Sequence, residues 1–501
     1  MTGNRPLAHR IDEHLYPDLS RVVARLYLPG EEIAGNQSRV ALVVQRVLRL
    51  TDDEVDQEAE IVVKDFAGRH RDLDDLLYEN ALRVSSHVPE GVVLNETQSL
   101  VMGAAFTAEF AVEGAALCNP SVVVDPDQSD LLEGETRLVL SVRAIGEGHV
   151  SSLGFASAIV GPGRSWRFLP RQGPLIAGRT QPLSWVNSQF RTLLEIDGVL
   201  DDLSHSILAA LPEVFTIDDF RVALAEVHTD LLIRPNAGDT IAALRRAVSL
   251  AYESLFPMDI ELSQQVLLPA IPDERAGIED ARLVRFTDAE GNSEYRATYT
   301  AYNGHDVGGR LIISGDLRHF HTYPMTGPAA RNKGVAIFPR LVDGRFMALC
   351  RSDGETTSIT RSDDGLAWDE PVAVHEPTAA WEVVQVGNCG SPIELAEGWL
   401  VLTHGVGPMR TYAIGAVLLD LEDPTKVLRR LETPLIEPAP DERNGYVPNV
   451  VYSCGGIVHE GTLWLPFGIG DSRIGVAWIS VDELLDAMTS VAAYAGADGI
   501  A

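Results

Sequence analysis

Two adjacent carboxylates and a guanidinium stand in one short run, Gly277-Ile278-Glu279-Asp280-Ala281-Arg282. It lies just ahead of Arg296-Ala297-Thr298-Tyr299-Thr300-Ala301-Tyr302, where Thr and Tyr alternate with Ala as on a strand. An acid carried on a rigid strand is what general acid–base chemistry requires. Taken alone, Asp280 and Arg282 are better explained as a surface ion pair at a strand start. Glu279 is assigned no catalytic role, because neighbours on a regular strand point to opposite faces. The status of Asp280 therefore depends on what else the chain brings to the same place.

The elements that position this acid divide the chain by texture. Residues 1–105 read as a helical N-terminal region: 38–50 and 72–88 repeat Leu, Val and Ala at three- and four-residue spacing, with Asp72 placed to cap the second segment. From about Glu109 the period becomes two, or the runs are short and wholly apolar, which marks 106–182 as sheet. Helical spacing returns over 183–263, in 188–211, 217–233 and 239–256, with Asp239-Thr240 as a cap. Residues 264–490 are sheet again, and 491–501 form a C-terminal tail. The two helical regions are expected to pack on each other, since each has an apolar face to bury.

The sheet portion repeats. Ser314-Gly315-Asp316-Leu317-Arg318-His319-Phe320 and Ser362-Asp363-Asp364-Gly365-Leu366-Ala367-Trp368 share Ser, Asp and an aromatic at matching offsets, and 157–166 is a weaker copy. Repeats of this length with several short strands describe propeller blades, none of which buries its faces alone. Five units, starting near Asn119, Asp280, Lys333, Gly390 and Asn449, give the expected fold. It is mainly β, a five-bladed β-propeller with an α-helical N-terminal region and an α-helical insertion, and a β-sandwich is the alternative. A propeller gathers side chains from every blade at one central site, so polar residues beside each inner strand become candidates. They are Asn119 and Arg143, Asp280 and Arg282, Lys333 and Arg351, His404 and Arg410, and Asn449 and Asp471. Carboxylates among cations and amides suit a polyhydroxylated substrate beside an anion.

Composition narrows the partners. With 72 acidic against 40 basic residues and a formal charge of −32, the chain has no basic block, so nucleic acid and anionic membranes are poor partners. No apolar run has the length of a membrane span or a signal peptide, which makes a cytoplasmic protein the default. Cys118, Cys350, Cys389 and Cys454 are far apart and lack metal-type spacing, so they read as buried free thiols.

Several of these runs also carry a family resemblance. GIEDARL, then NKGVAIFPR with Arg351 downstream, then the stretch from Gly398 to Arg430, then GYVPNVVYSCG and FGIGDSRIGVAW follow one another over about residues 115–485. Together they resemble glycoside hydrolase family 130, five-bladed propeller enzymes that act on β-mannosides, mostly as phosphorylases and in part as hydrolases. The resemblance implies that Asp280 is the catalytic acid, its proton passing to the glycosidic oxygen through a substrate hydroxyl. It implies a mannosyl site of Asn119, Arg143, Arg282 and Asp471 and a phosphate site of Lys333, Arg351, His404 and Tyr412; Tyr302 and Asn449 are added as substrate-binding candidates, and Gln385 as a neutral donor to phosphate. Two positions depart from the family pattern: Ala281 replaces a common Pro, and Gln385 stands where phosphorylases usually carry Lys.

An inverting phosphorylase needs one acid and an anion site, because phosphate is already a competent nucleophile. A hydrolase needs a second carboxylate as base, roughly 6.5–9.5 Å from the first. The expected activity is inverting phosphorolysis of β-mannosides, β-1,2-mannooligosaccharides first, to mannose 1-phosphate and a shortened sugar. Inverting hydrolysis and a noncatalytic carbohydrate-binding propeller are the alternatives. No metal or cofactor is expected; phosphate is a co-substrate and an oligosaccharide the other partner. The helical regions are expected to serve homo-oligomerisation or to shape acceptor subsites. Glu442 and Arg443 read as a rim ion pair or acceptor contacts.

Overall fold

The computed structural model describes residues 7–30 and 38–491, and the protein is mainly β. Its sheet portion contains, among the described residues, a succession of five four-stranded antiparallel units, the first two joined through one parallel pairing of Gly277 with Ser151. The first comprises Ala116–Val124, Thr136–Ile145, Ser151–Gly161 and Ser165–Phe168. In the second, Gly277–Thr287, Ser293–Tyr302, Val307–Ser314 and His319–Pro324 follow one another. Ala336–Ile337, Phe346–Cys350, Thr357–Ser362 and Val372–His375 form the third. The fourth opens at Gln385–Asn388 and continues through Gly398–Val406, Tyr412–Leu419 and Val427–Arg430. Val451–Tyr452, Thr462–Ile469 and Arg473–Ser480 make three strands of the fifth, and its outer strand is His9–Leu15 from the other end of the chain.

Strands with both faces covered need no apolar–polar alternation, and Gly398–Val406 is buried along its whole length and apolar except at Thr403 and His404. Five apolar cores lie between successive meanders: first with second, second with third, third with fourth, fourth with fifth, and fifth with first. The last joins Trp464 and Val476 to Leu117 and Leu138.

The two repeated turns fold alike. Ser314 Oγ accepts from Leu317 N and Asp316 Oδ1 from Arg318 N and His319 N; Ser362 Oγ accepts from Gly365 N and Asp364 Oδ1 from Leu366 N and Ala367 N. Residues 157–166 are not a third copy, because Ser157 lies inside a strand that pairs across a tight hairpin to Ser165–Phe168.

Helical expectation fails at the N-terminus, where His9–Leu15 and Val22–Leu26 are strands. As an outer strand His9–Leu15 buries little of itself, so its polar sequence hides its role. It is also wrong at 252–255, where Tyr252–Leu255 pairs with His319–Pro324. Four helices do form over Arg39–Val47, Asp52–Phe66, Leu73–Arg83 and Glu96–Ala105, and the insertion contains Asn187–Ile196, Asp202–Ala210, Ile217–Ala225, Thr229–Leu232 and Ala237–Val248. Neither predicted cap holds. Asp72 makes no capping bond and instead pairs with Arg71, and the helix near Asp239 begins earlier, with Thr240 donating to Asp201. The two helical regions fill separate cores instead of packing on each other, because each has helices enough to cover its own apolar faces. All but the first residue of the expected tail, 491–501, lies outside the described residues.

Candidate active site

Asp280 sits where the first strand of the second meander breaks register, between Glu279 and Arg282. Its φ of 58° is left-handed, as are those of Asn119 (49°), Asn449 (62°) and Asp471 (47°). Asn and Asp tolerate this region better than other side chains with a Cβ, so residue type and backbone agree at all four positions. Asn119 lies at a matching break in its own strand, between Cys118 and Ser121.

These breaks bring the acid and its partners together. Asn119 Nδ2 donates to Asp280 Oδ1 at 2.7 Å, and Arg143 Nη1 approaches the same oxygen at 3.4 Å. Arg143 also donates from Nη2 to Glu279 Oε1 (2.7 Å) and from Nε to Ser151 Oγ (2.9 Å). Lys333 Nζ donates to Glu279 Oε2 at 2.7 Å and lies 6.0 Å from the Tyr302 ring centre. Glu279 is thus part of the cluster, contrary to the strand-alternation argument, because the irregularity at Asp280 lets both neighbours reach Arg143. Tyr302 spends its hydroxyl on Gly304 O.

Burial works to raise the Asp280 carboxyl, but Arg143, Arg282 and Lys333, with the Asn119 hydrogen bond, outweigh it and hold it below the usual carboxylate range. Asp471 has the opposite balance. Burial and the charges of Asp280 and Glu279 prevail over Arg143 and Arg410, and its carboxyl is pushed up to about 6. Its Oδ1 is buried with no hydrogen-bond partner among the described residues.

Arg282 is 3% exposed and donates from each of its side-chain nitrogens: Nε to Cys389 O, Nη1 to Asp280 O and Nη2 to Tyr452 OH, at 2.8, 2.8 and 3.0 Å. It fixes the strand that carries Asp280 to the fourth and fifth meanders. The Tyr452 ring then lies 4.8 Å from the His404 ring, and Tyr412 lies nearly parallel to His404 at 6.3 Å. Arg351 Nη1 donates to His404 Nε2 at 2.9 Å. Burial first, then Arg351 and Arg282, hold the imidazole well below its ordinary pKa, so His404 is neutral. Gly387, paired with His404, makes room for this contact, since a Cβ there would stand 2.6 Å from His404 Cε1 and 3.0 Å from Arg351 Cδ. Gln385 is half-buried on the same strand, opposite Val406.

Asn449 takes a bond from Arg443 Nη1 at 3.2 Å, and its carbonyl accepts from Tyr412 N at 3.0 Å. Glu442 and Arg443 do not pair with each other. Glu442 is buried and takes two bonds at 2.8 Å from Arg10 of the N-terminal strand. Sequence reasoning missed Glu279, Ser151, Tyr452 and the Cys389 carbonyl; of these only Glu279 carried a signal, its adjacency to Asp280.

Several known proteins are similar to this chain. The family model described as beta-1,4-mannooligosaccharide phosphorylase matches residues 253–490. A 1,2-beta-oligomannan phosphorylase of Thermoanaerobacter sp. (strain X514) is 31% identical over 229 residues, 45% of this chain and 75% of the relative. A beta-1,2-mannobiose phosphorylase of the same organism is 34% identical over 225 residues, 44% of this chain and 72% of the relative. The solved beta-1,2-mannobiose phosphorylase of Listeria innocua superposes with a TM-score of 0.43 at 22% identity, over 75% of this chain and 92% of that one. The matched span contains the broken strand that carries Asp280 and the Arg351–His404 pair, and the chain belongs to glycoside hydrolase family 130.

Proposed function

We propose that the protein is an inverting phosphorylase of β-mannosides, with β-1,2-linked mannooligosaccharides its first substrate class, built on a five-bladed propeller. The observation that carries the reading is the Asp280 carboxylate, set on a strand break among Asn119, Arg143 and Lys333, with Arg282 tying its strand to Tyr452 beside the Arg351–His404 pair. Relatives that share about three quarters of their length with this chain are mannoside phosphorylases, which supports phosphate as the nucleophile. The cyclic succession of cores between five meanders supports the propeller. Four buried free thiols suit a reducing, cytoplasmic setting, and no described helix is long and apolar enough to cross a membrane.

In the free protein Asp280 is an anion and must gain a proton before it can act as the acid. Phosphate binding supplies the cause. A dianion held by Arg351 and Lys333 offsets the cations that keep Asp280 ionised and adds like charge nearby, and both effects raise its pKa. A mannosyl hydroxyl between Asp280 and the glycosidic oxygen completes the relay. The reaction needs no cofactor, since phosphate is consumed as substrate. Hydrolysis is the second reading, because Gln385 and His404 are neutral and Lys333 is already paired to Glu279. Purified protein incubated with β-1,2-mannobiose decides. Mannose 1-phosphate formed only when phosphate is present is the expected result; free mannose released at the same rate without it overturns phosphorolysis.

A further inference from the structure

A cavity of about 390 Å³ lies between the helical insertion and the outer strands of the second meander, apart from the carboxylate cluster. Its size falls in the ~300–1,000 Å³ range of small-molecule sites. One wall is apolar and includes Leu193 and Leu250 from the insertion. The other is polar and centres on Arg310, which is 4% exposed. Arg310 donates from Nη2 to Asp273 (3.1 Å) and from Nη1 to Gly309 O (3.1 Å), while its Nε has no partner among the described residues. Thr326 Oγ1, on the same lining, is also buried without a partner. Such unmet polar atoms are uncommon in a native interior and point to a ligand that carries hydrogen-bonding groups.

The strand register fixes where this cavity stands relative to Asp280. Gly277 pairs with Tyr302, and Tyr302 pairs with Val307, so the turn that forms the cavity rim rises at the same sheet end as Asp280. Two strand spacings, about 10 Å, separate the strand of Asp280 from that of Arg310. Tyr302 stands between them, beside Lys333. A short oligosaccharide spans that distance. Its pyranose rings present apolar C–H faces and an equator of hydroxyls, which matches one apolar wall opposite guanidinium, carboxylate and hydroxyl groups.

We propose that the cavity is a distal saccharide subsite, which holds sugar units of the substrate beyond those at Asp280. The proposal rests on the reading of the protein as active on β-mannosides. Two variants probe it without touching the carboxylate cluster. Ala243→Trp fills the space from the helix Ala237–Val248, and Arg246→Ala removes the guanidinium that shares Asp273 with Arg310. Calorimetric titration of the full-length chain in phosphate-free buffer compares β-1,2-mannobiose with β-1,2-mannotetraose. The expected result is about tenfold tighter binding of the tetraose by the parent protein, a margin lost in both variants while the mannobiose Kd stays unchanged. A margin that persists in both variants, no margin in the parent, or an equal loss of mannobiose binding overturns the proposal. Mannose 1-phosphate release is followed separately. If none forms from any mannoside yet the length margin behaves as expected, the assigned reaction fails and the subsite stands.

Discussion

Asp280 and Asp471 are two carboxylates in one electrostatic field with opposite outcomes. The first is stabilised as an anion by direct donors, and the second is pushed up to about 6 by burial and by the first one's charge. Because the folded pKa of Asp471 exceeds its unfolded value of 3.8, its contribution to stability is fully present below that value and is lost as pH rises through 6. A shift of about two pH units corresponds to roughly 3 kcal/mol. Asp471→Asn is therefore expected to gain stability relative to the parent between pH 4 and pH 7, which urea unfolding at the two pH values checks. An unchanged difference between parent and variant across that range would contradict the assignment.

At the scale of elements, the Arg351–His404 pair, which the proposed function assigns to phosphate, depends on a strand position without a side chain. Gly387→Ala forces a Cβ into the space of His404 and Arg351, and such overpacking costs about 1–3 kcal/mol. The expected readout is a rise of roughly tenfold in the KM for phosphate with the KM for the sugar little changed, measured in initial-rate assays. The paired Ser and Asp turns were legible from sequence because their side chains bond the backbone two and three residues ahead, a local interaction with a local signature. Asp280 was singled out by the family resemblance of its motif and not by the run itself, because its partners Asn119 and Arg143 come from distant parts of the chain. Glu279 was not, because a register break depends on how a strand meets its neighbour. The charge state of His404 was not either, because burial beside Arg351 is a property of the packed molecule. Likewise the contacts of Arg282 with Cys389 O, Asp280 O and Tyr452 OH were not legible, because they join separate parts of the chain.

For the molecule as a whole, the junction between the two ends of the chain matters most. His9–Leu15 pairs with Arg473–Ser480, Leu15 enters the core shared by the first and fifth meanders, and Arg10 satisfies the buried Glu442. Removing residues 1–15 exposes that edge and leaves the carboxylate unpaired. The expected loss is on the order of 5 kcal/mol, seen as a lower urea midpoint; an unchanged midpoint would show that the strand is dispensable. The same strand was the least legible part of the fold, since one strand from the far end of the sequence has no neighbour whose pattern announces it.

The left-handed backbone at Asp280 also bears on how this protein can change over generations. Asparagine accepts that conformation as readily as aspartate and occupies nearly the same volume, and Asn119 and Asn449 already show it in place. Aspartate and asparagine codons differ by one first-base transition. On the reading of Asp280 as the acid, a chain that has lost its chemistry is therefore a single mutation away, through a substitution that the local backbone accommodates.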